Sequence, residues 1–342
     1  MPGARITALG HYQPSRVLTN DDLARMVETS DDWIRRRTGI ATRRIADEAE
    51  SVTDMAAAAA EKALAASGLD PRDIGLVTVA TCSAVDRCPS IAAQVAGRLG
   101  LPSPVAFDLN NGCAGFCTAL ATADHALRAG AARHALVIGA EKMSDVTDWT
   151  DRSTCVLLAD GAGAAVLSAS ESDGVGSGAD GIGFGADGIG SGTEGNSFGT
   201  AGIGPVVWGS DPSRGDYVRL VDEWQPRFTQ EGQAVYRWAT AELPGLAREA
   251  CRRAGIEPGE LAGVVTHQAN LRLIEAVLRQ LDLPEDVVIA QDVVESGNTS
   301  AASVPLALSK LVERGELPSG GKVLLLSFGG GMSWAGQVVE CP

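Results

Sequence analysis

The chain has 342 residues, 45% of them apolar, and a formal charge of −15 from 28 basic and 43 acidic residues. That length provides about two domain-sized halves with room for a sizeable core, and the acidity argues against nucleic-acid binding. No run of about 18 apolar residues could cross a membrane and no N-terminal stretch reads as a signal peptide; seven cysteines without metal-type spacing, and no Cys-x-x-Cys or His-x-x-x-His pair, fit a reducing cytoplasm and no bound metal.

In chain order, a helix is expected over 53–67, then apolar strands over 77–81, 105–110 and 134–140, with a helix over 114–128 between the last two. Further helices are expected over 233–254, 271–281 and 300–313. Continuous apolar strands between helices imply α/β sheets covered on both faces, so all three strands read as buried. Residues 174–204 are glycine-rich and carry a tandem copy, 178–184 and 185–191. The formal G-x-G-x-x-G at Gly183–Gly188 has no strand before it and no helix after it, so a dinucleotide site is rejected. A calcium-binding glycine/aspartate repeat fits poorly, and the segment reads as a flexible surface connection.

Cys113 stands in Asn110-Asn111-Gly112-Cys113-Ala114-Gly115-Phe116, after one strand and at the start of a helix. Free backbone N–H groups at such a start favour thiolate over thiol, and Gly112, Ala114 and Gly115 leave room for a ligand. Cys113 is therefore the candidate nucleophile. Cys82, Cys117, Cys155, Cys251 and Cys341 read as small buried hydrophobes. Of the four histidines, His11 lies in an N-terminal hairpin region, His125 in the helix after Cys113, and His134 at a strand start. His267 ends the apolar run 261–266 and opens His267-Gln268-Ala269-Asn270, at the carboxyl end of a strand, where open α/β folds bind ligands. Asn298 lies in Gly297-Asn298-Thr299-Ser300-Ala301-Ala302-Ser303, where it reads either as a helix cap or as a site residue. Phe328-Gly329-Gly330-Gly331 follows a strand over 323–327, and three glycines there suggest close backbone approach to a substrate.

The chain also repeats itself. Ser67-Gly68-Leu69-Asp70-Pro71 resembles Ala254-Gly255-Ile256-Glu257-Pro258 at an offset of 187 residues. The same offset carries Asn111 onto Asn298 and Cys113 onto Ser300, so two similar halves would bring the cysteine loop, the asparagine loop and His267 to one cleft.

These fragments, together with Asp32-Trp33-Ile34, Arg37-Thr38-Gly39-Ile40, Thr150-Asp151-Arg152 and Asp160-Gly161-Ala162-Gly163-Ala164, resemble β-ketoacyl-acyl-carrier-protein synthase III over nearly the whole chain. This is the initiating condensing enzyme of fatty-acid synthesis, within the thiolase-like superfamily. The resemblance implies a five-layered αβαβα fold of two similar halves, 1–172 and 206–342, joined through 173–205. It implies a cytoplasmic homodimeric acyltransferase with no cofactor, whose partners are acyl-CoA and acyl carrier protein. Cys113 would take the acyl group from acyl-CoA, with the N–H groups of Cys113 and Gly330 as oxyanion donors. His267 and Asn298 would hold the malonyl thioester carbonyl while CO2 leaves. Trp33 and Arg152 would sandwich the adenine of CoA, Arg37 would meet its phosphates, and Asn270 and Gly232 would line the pantetheine tunnel. Arg237, Arg272 and Arg279 would dock the carrier protein. Cys88, Leu158 and Phe328 would shape the acyl pocket; Cys88, Leu158 and Gln230 replace bulkier residues usual in the family, and Asn111-Gly112 replace two small apolar ones, which bears on the starter acyl group. A priming ketosynthase or acyltransferase of a secondary pathway stays open, as does a non-catalytic partner subunit, although such subunits usually lose the nucleophile.

Overall fold

The computed structural model describes residues 3–86, 88–170, 202–220 and 226–342. The first half contains β1 (Ala4–Tyr12), β2 (Arg16–Thr19), α1 (Asn20–Ala24), α2 (Asp31–Thr38), β3 (Thr42–Ile45), α3 (Val52–Ser67), β4 (Ile74–Ala80), α4 (Ile91–Arg98), β5 (Val105–Leu109), α5 (Gly115–Arg128), β6 (His134–Lys142) and β7 (Asp160–Ala169). The second contains β8 (Val207–Ser210), β9 (Val218–Leu220), β10 (Phe228–Gln230), α6 (Gly232–Ala254), β11 (Gly263–Thr266), α7 (Leu271–Leu278), β12 (Val288–Ile289), α8 (Val293–Ser296), α9 (Ser303–Glu313), β13 (Lys322–Gly329) and β14 (Ser333–Glu340). The glycine-rich tandem copy and most of the expected connection lie outside the described residues.

Local chemistry sets the boundaries. The alanine-rich α3 opens with a reciprocal Ser51–Asp54 capping box and stops at left-handed Gly68. Helix α2 starts at the Ser30 cap and ends at left-handed Gly39, where a side chain would strike Leu271. Helix α7 ends at Leu278, three residues short of expectation, because Gln280 and Leu281 turn back to Val277 and Leu278 in tighter bonds. The expected helix over 300–313 begins instead as a 3₁₀ turn, Ser300–Ala302, before α9.

The two main sheets share one plan. Their orders are β1-β7-β6-β4-β5 and, read in the matching direction, β8-β14-β13-β11-β12. Alternate residues of a strand serve opposite layers. On β6, Ala135 and Val137 join a core with α5 and α9, while Leu136 and Ile138 join one with α3 and α4. On β13, Val323 and Leu325 share the central core, and Leu324, Leu326 and Phe328 face α6 and α7. The result is the five-layered αβαβα fold, with α5 and α9 in the middle. Each fully buried leucine or isoleucine contributes roughly 1.5–3 kcal/mol to holding it.

One strand departs from expectation. Strand β5 is not buried: Val105 is exposed and 106–109 are half-exposed. It occupies the sheet edge, and an apolar run does not reveal a strand's place in the order. Among the described residues no helix is long and apolar enough to cross a membrane.

Candidate active site

Two 3₁₀ turns meet at the centre of the molecule: Gly112–Ala114 before α5, and Ser300–Ala302 before α9. The sulfur of Cys113 lies 3.4 Å from Ser300 Oγ. From these turns onward the halves correspond with an offset of 188, one more than the sequence match: helix starts Gly115 and Ser303, and left-handed residues Gly112 (φ 50°) and Ser300 (φ 48°), pair in this way. The backbone counterpart of Ser300 is thus Gly112, and that of Cys113 is Ala301. The expected match of Cys113 with Ser300 is off by one residue, the loops differing in length ahead of the turns.

Burial pushes the Cys113 thiol up to about 11, and the nearby Glu141 carboxylate acts in the same direction. This direction is opposite to the expectation from the helix start, because desolvation of the sulfur is the larger effect. Desolvation thus favours the neutral thiol at Cys113.

Asn298 is fixed from both sides. Its N–H donates to Leu157 O and its carbonyl accepts from Ala159 N–H, each at 2.9 Å, which sets Leu158 beside it. Its Oδ1 accepts from Ser300 N–H at 2.9 Å. The cap-like bond and the site role therefore use different atoms, since the amide NH2 is left to donate elsewhere. Gly297, at φ 74°, is required here: a Cβ would lie 2.8 Å from that of Ala159 and 2.9 Å from that of Arg43.

His267 is buried at the end of β11. Its Nδ1 lies 2.8 Å from Ser303 Oγ, which also accepts Gln268 N–H, and its ring meets Phe328 edge-on at 5.4 Å. Burial lowers its pKa to about 3, so the imidazole is neutral. One segment, Asn298 to Ser303, thus supplies or touches all three expected chemical residues: Asn298 itself, Cys113 through Ser300, and His267 through Ser303.

Gly330 closes the site. Its N–H lies 3.5 Å from where a Cβ on Gly112 would stand, and a side chain at Gly330 itself would meet Val218 O at 2.9 Å. Phe328 and Leu158 are buried here. Cys88 is exposed before α4.

Farther out, Arg152 stacks over Trp33 at 5.0 Å and Arg37 approaches the same ring at 5.8 Å. Gly232 begins α6, where a Cβ would meet Gln230 Nε2 at 3.9 Å, and Asn270 caps α7 through Oδ1 to Leu273 N–H. Arg237 and Arg279 are exposed. Arg272 is engaged: it donates to Arg35 O and Arg36 O at the end of α2 and pairs with Glu275.

The sequence reading missed four groups. Glu141, Ser300 and Ser303 are buried polar residues bonded to or near the candidate nucleophile and histidine, and Cys82, read as inert, bonds to Glu141 at 3.2 Å. A charge at the carboxyl end of the apolar run 134–140 was the available signal for Glu141.

Residues 107–188 match the family described as 3-oxoacyl-[acyl-carrier-protein] synthase III, and residues 251–341 match its C-terminal counterpart. The chain is 58% identical over 340 residues to β-ketoacyl-[acyl-carrier-protein] synthase III 4 of Streptomyces coelicolor, covering 99% of each chain. It is also 58% identical over 342 residues to synthase III 2 of Streptomyces avermitilis, covering 100% of both. Among solved structures, the priming β-ketosynthase of the R1128 polyketide pathway superposes with a TM-score of 0.90 at 37% identity, over 100% of this chain and 97% of that one. The synthase III of Aquifex aeolicus gives 0.86 at 35% identity, over 99% and 100%.

Proposed function

The chain belongs to the β-ketoacyl-[acyl-carrier-protein] synthase III family of condensing enzymes, and from that premise we propose how its own residues start a fatty-acid or polyketide chain. The reaction is a decarboxylative Claisen condensation of an acyl-CoA starter with malonyl-carrier protein. Cys113 attacks the acyl-CoA thioester and keeps the acyl group. The N–H groups of Cys113 and Gly330 receive the negative oxygen of the tetrahedral intermediate. Malonyl-carrier protein then enters, and His267 and Asn298 donate hydrogen bonds to its thioester carbonyl. Loss of CO2 leaves an enolate on that oxygen, which attacks the acyl group on Cys113.

The supporting observation is the shared segment from Asn298 to Ser303. It aims an amide NH2 by tying Oδ1 to Ser300 N–H, and it holds a neutral imidazole through Ser303. If Ser303 donates its own proton to Nδ1, the remaining ring hydrogen sits on Nε2, a donor for the enolate. A preorganised donor of this kind is worth about 2.7–4 kcal/mol in the transition state.

Trp33 and Arg152 would open to admit the adenine of CoA, with Arg37 on its phosphates and Asn270 and Gly232 along the pantetheine arm. Arg237 and Arg279 are the freer candidates for carrier docking. The exposed edge strand β5 is the surface that a second copy would cover in a homodimer. Intact-protein mass spectrometry after incubation with acyl-CoA tests the core of this reading. The wild type should gain one acyl group and Cys113→Ala none; acylation of the variant would refute the assignment.

A further inference from the structure

Glu141 is completely buried at the end of β6. It accepts hydrogen bonds from Thr81 Oγ1 at 3.1 Å, the N–H groups of Cys82 and Ser83 at 3.0 Å, Cys82 Sγ at 3.2 Å and Ser83 Oγ at 2.5 Å. From the other half it accepts from Ser300 Oγ at 2.9 Å and Ala301 N–H at 3.4 Å. Every one of these partners is a donor, and none of them is a cation, so the carboxylate acts here as an acceptor only. Ser300 has one hydroxyl proton. With that proton committed to Glu141, its oxygen can only accept from the Cys113 thiol. The three groups therefore form a chain with a single direction, from sulfur to carboxylate. Ser300 holds φ 48°, a conformation a non-glycine residue keeps only when its surroundings impose it.

We propose that Ser300 and Glu141 are the proton relay of Cys113, a deepening that rests on Cys113 as the acyl acceptor. As the sulfur–carbonyl bond forms, the thiol hydrogen passes to Ser300 Oγ and the Ser300 hydrogen passes to Glu141 Oε1. The carbon–sulfur bond to CoA breaks, and its electron pair leaves on the CoA sulfur, which takes a proton from solvent. In the second half-reaction the enolate attacks the acyl group. The pair of the breaking carbon–Sγ bond returns to Cys113, and the stored proton comes back from Glu141 through Ser300. One solvent proton is consumed per turnover, and the chain ends as it began. Ser300 touches the reacting sulfur; Glu141 acts through it, aiming the hydroxyl and holding its proton. The upward push of desolvation on the Cys113 thiol agrees with this, since a proton held on sulfur has to leave during attack.

The test is the rate of Cys113 modification against pH, read by intact mass, with acyl-CoA and separately with iodoacetamide, which needs no CoA site. The wild-type rate should be nearly flat between about pH 7 and pH 9. Ser300→Ala should react about 100-fold more slowly at pH 7 and gain roughly tenfold per pH unit, as thiolate formed by solvent takes over. Glu141→Gln should behave in the same way, because an amide cannot receive the proton; if it does not fold, Ser300→Ala decides alone. A wild-type rate in Ser300→Ala, or a uniform slowing with the wild-type pH profile, overturns the relay. If acyl-CoA leaves wild-type Cys113 unmodified, the acyl-acceptor reading fails instead, and the iodoacetamide profiles still judge the relay.

Discussion

The two central turns have the same backbone and opposite contents. On the C-terminal side, Ser300 points at Glu141 and the space between the turn and the neighbouring strand end is filled by bonded polar side chains. On the N-terminal side, the corresponding positions are Gly112 and Gly329. The sheet registers fix the second pair: Val79 faces Ile138 as Thr266 faces Leu326, and three residues onward lie Glu141 and Gly329. A Cβ on Gly329 would lie 2.8 Å from Cys113 N and 2.9 Å from its Cβ. The two halves thus hold two equivalent volumes: one is filled by the hydrogen-bonded Glu141 and Ser300, and the other is left as backbone beside Cys113.

Refilling the emptied side should slow acylation strongly. Gly329→Ala pushes against the Cys113 backbone, and displacement of a nucleophile by about 1 Å costs on the order of 100-fold. Stopped-flow acylation should show that loss while the fold survives, at a stability cost of about 1–3 kcal/mol. Acylation at the wild-type rate would mean that the gap beside Cys113 has no function.

A second contrast separates the outer surfaces of the halves. Trp33→Ala on α2 should raise KM for acyl-CoA about tenfold, the worth of one stacked base, and leave KM for malonyl-carrier protein unchanged. Arg237→Glu on α6 should do the reverse by several-fold, as a rim charge facing an acidic partner. Arg272→Glu should impair both, because Arg272 ties α7 to the end of the helix that bears Trp33. A selective carrier defect in Arg272→Glu would return that residue to the docking surface.

The smallest effect concerns His267 and acid. Its unfolded imidazole titrates near 6.5, and burial holds the folded one to about 3. Between these values the unfolded chain binds a proton that the folded chain refuses, so stability is complete above 6.5 and declines as pH falls toward 3. The melting temperature should therefore drop less between pH 7 and pH 4 in His267→Gln than in the wild type, by a few degrees. An identical drop would place His267 in a wetter environment than the fold indicates.

Much of this was legible in the residues themselves. Cys113, His267 and Asn298 stand at strand ends and loop starts where α/β folds bind ligands, and the internal repeat foretold matching sheets. What stayed hidden depends on tertiary placement. The upward push on the Cys113 thiol comes from desolvation of its sulfur, which its helix-start sequence does not encode. Glu141 and Ser300 are 159 residues apart, and only the folded chain shows that they bond. The exposure of β5 follows from its position at a sheet edge, and the occupation of Arg272 from the approach of α7 to α2.

The division of labour between the halves is tested most directly by following both half-reactions in Asn298→Ala and His267→Ala. Acyl-Cys113 would be measured by intact mass, and CO2 and β-ketoacyl product from malonyl-carrier protein in the same reaction. Both variants should acylate Cys113 at close to the wild-type rate and lose condensation by about 100- to 1000-fold, the usual worth of one transition-state donor. A variant that condenses normally, or one that fails first at acylation, would contradict the assignment of the C-terminal half to the enolate.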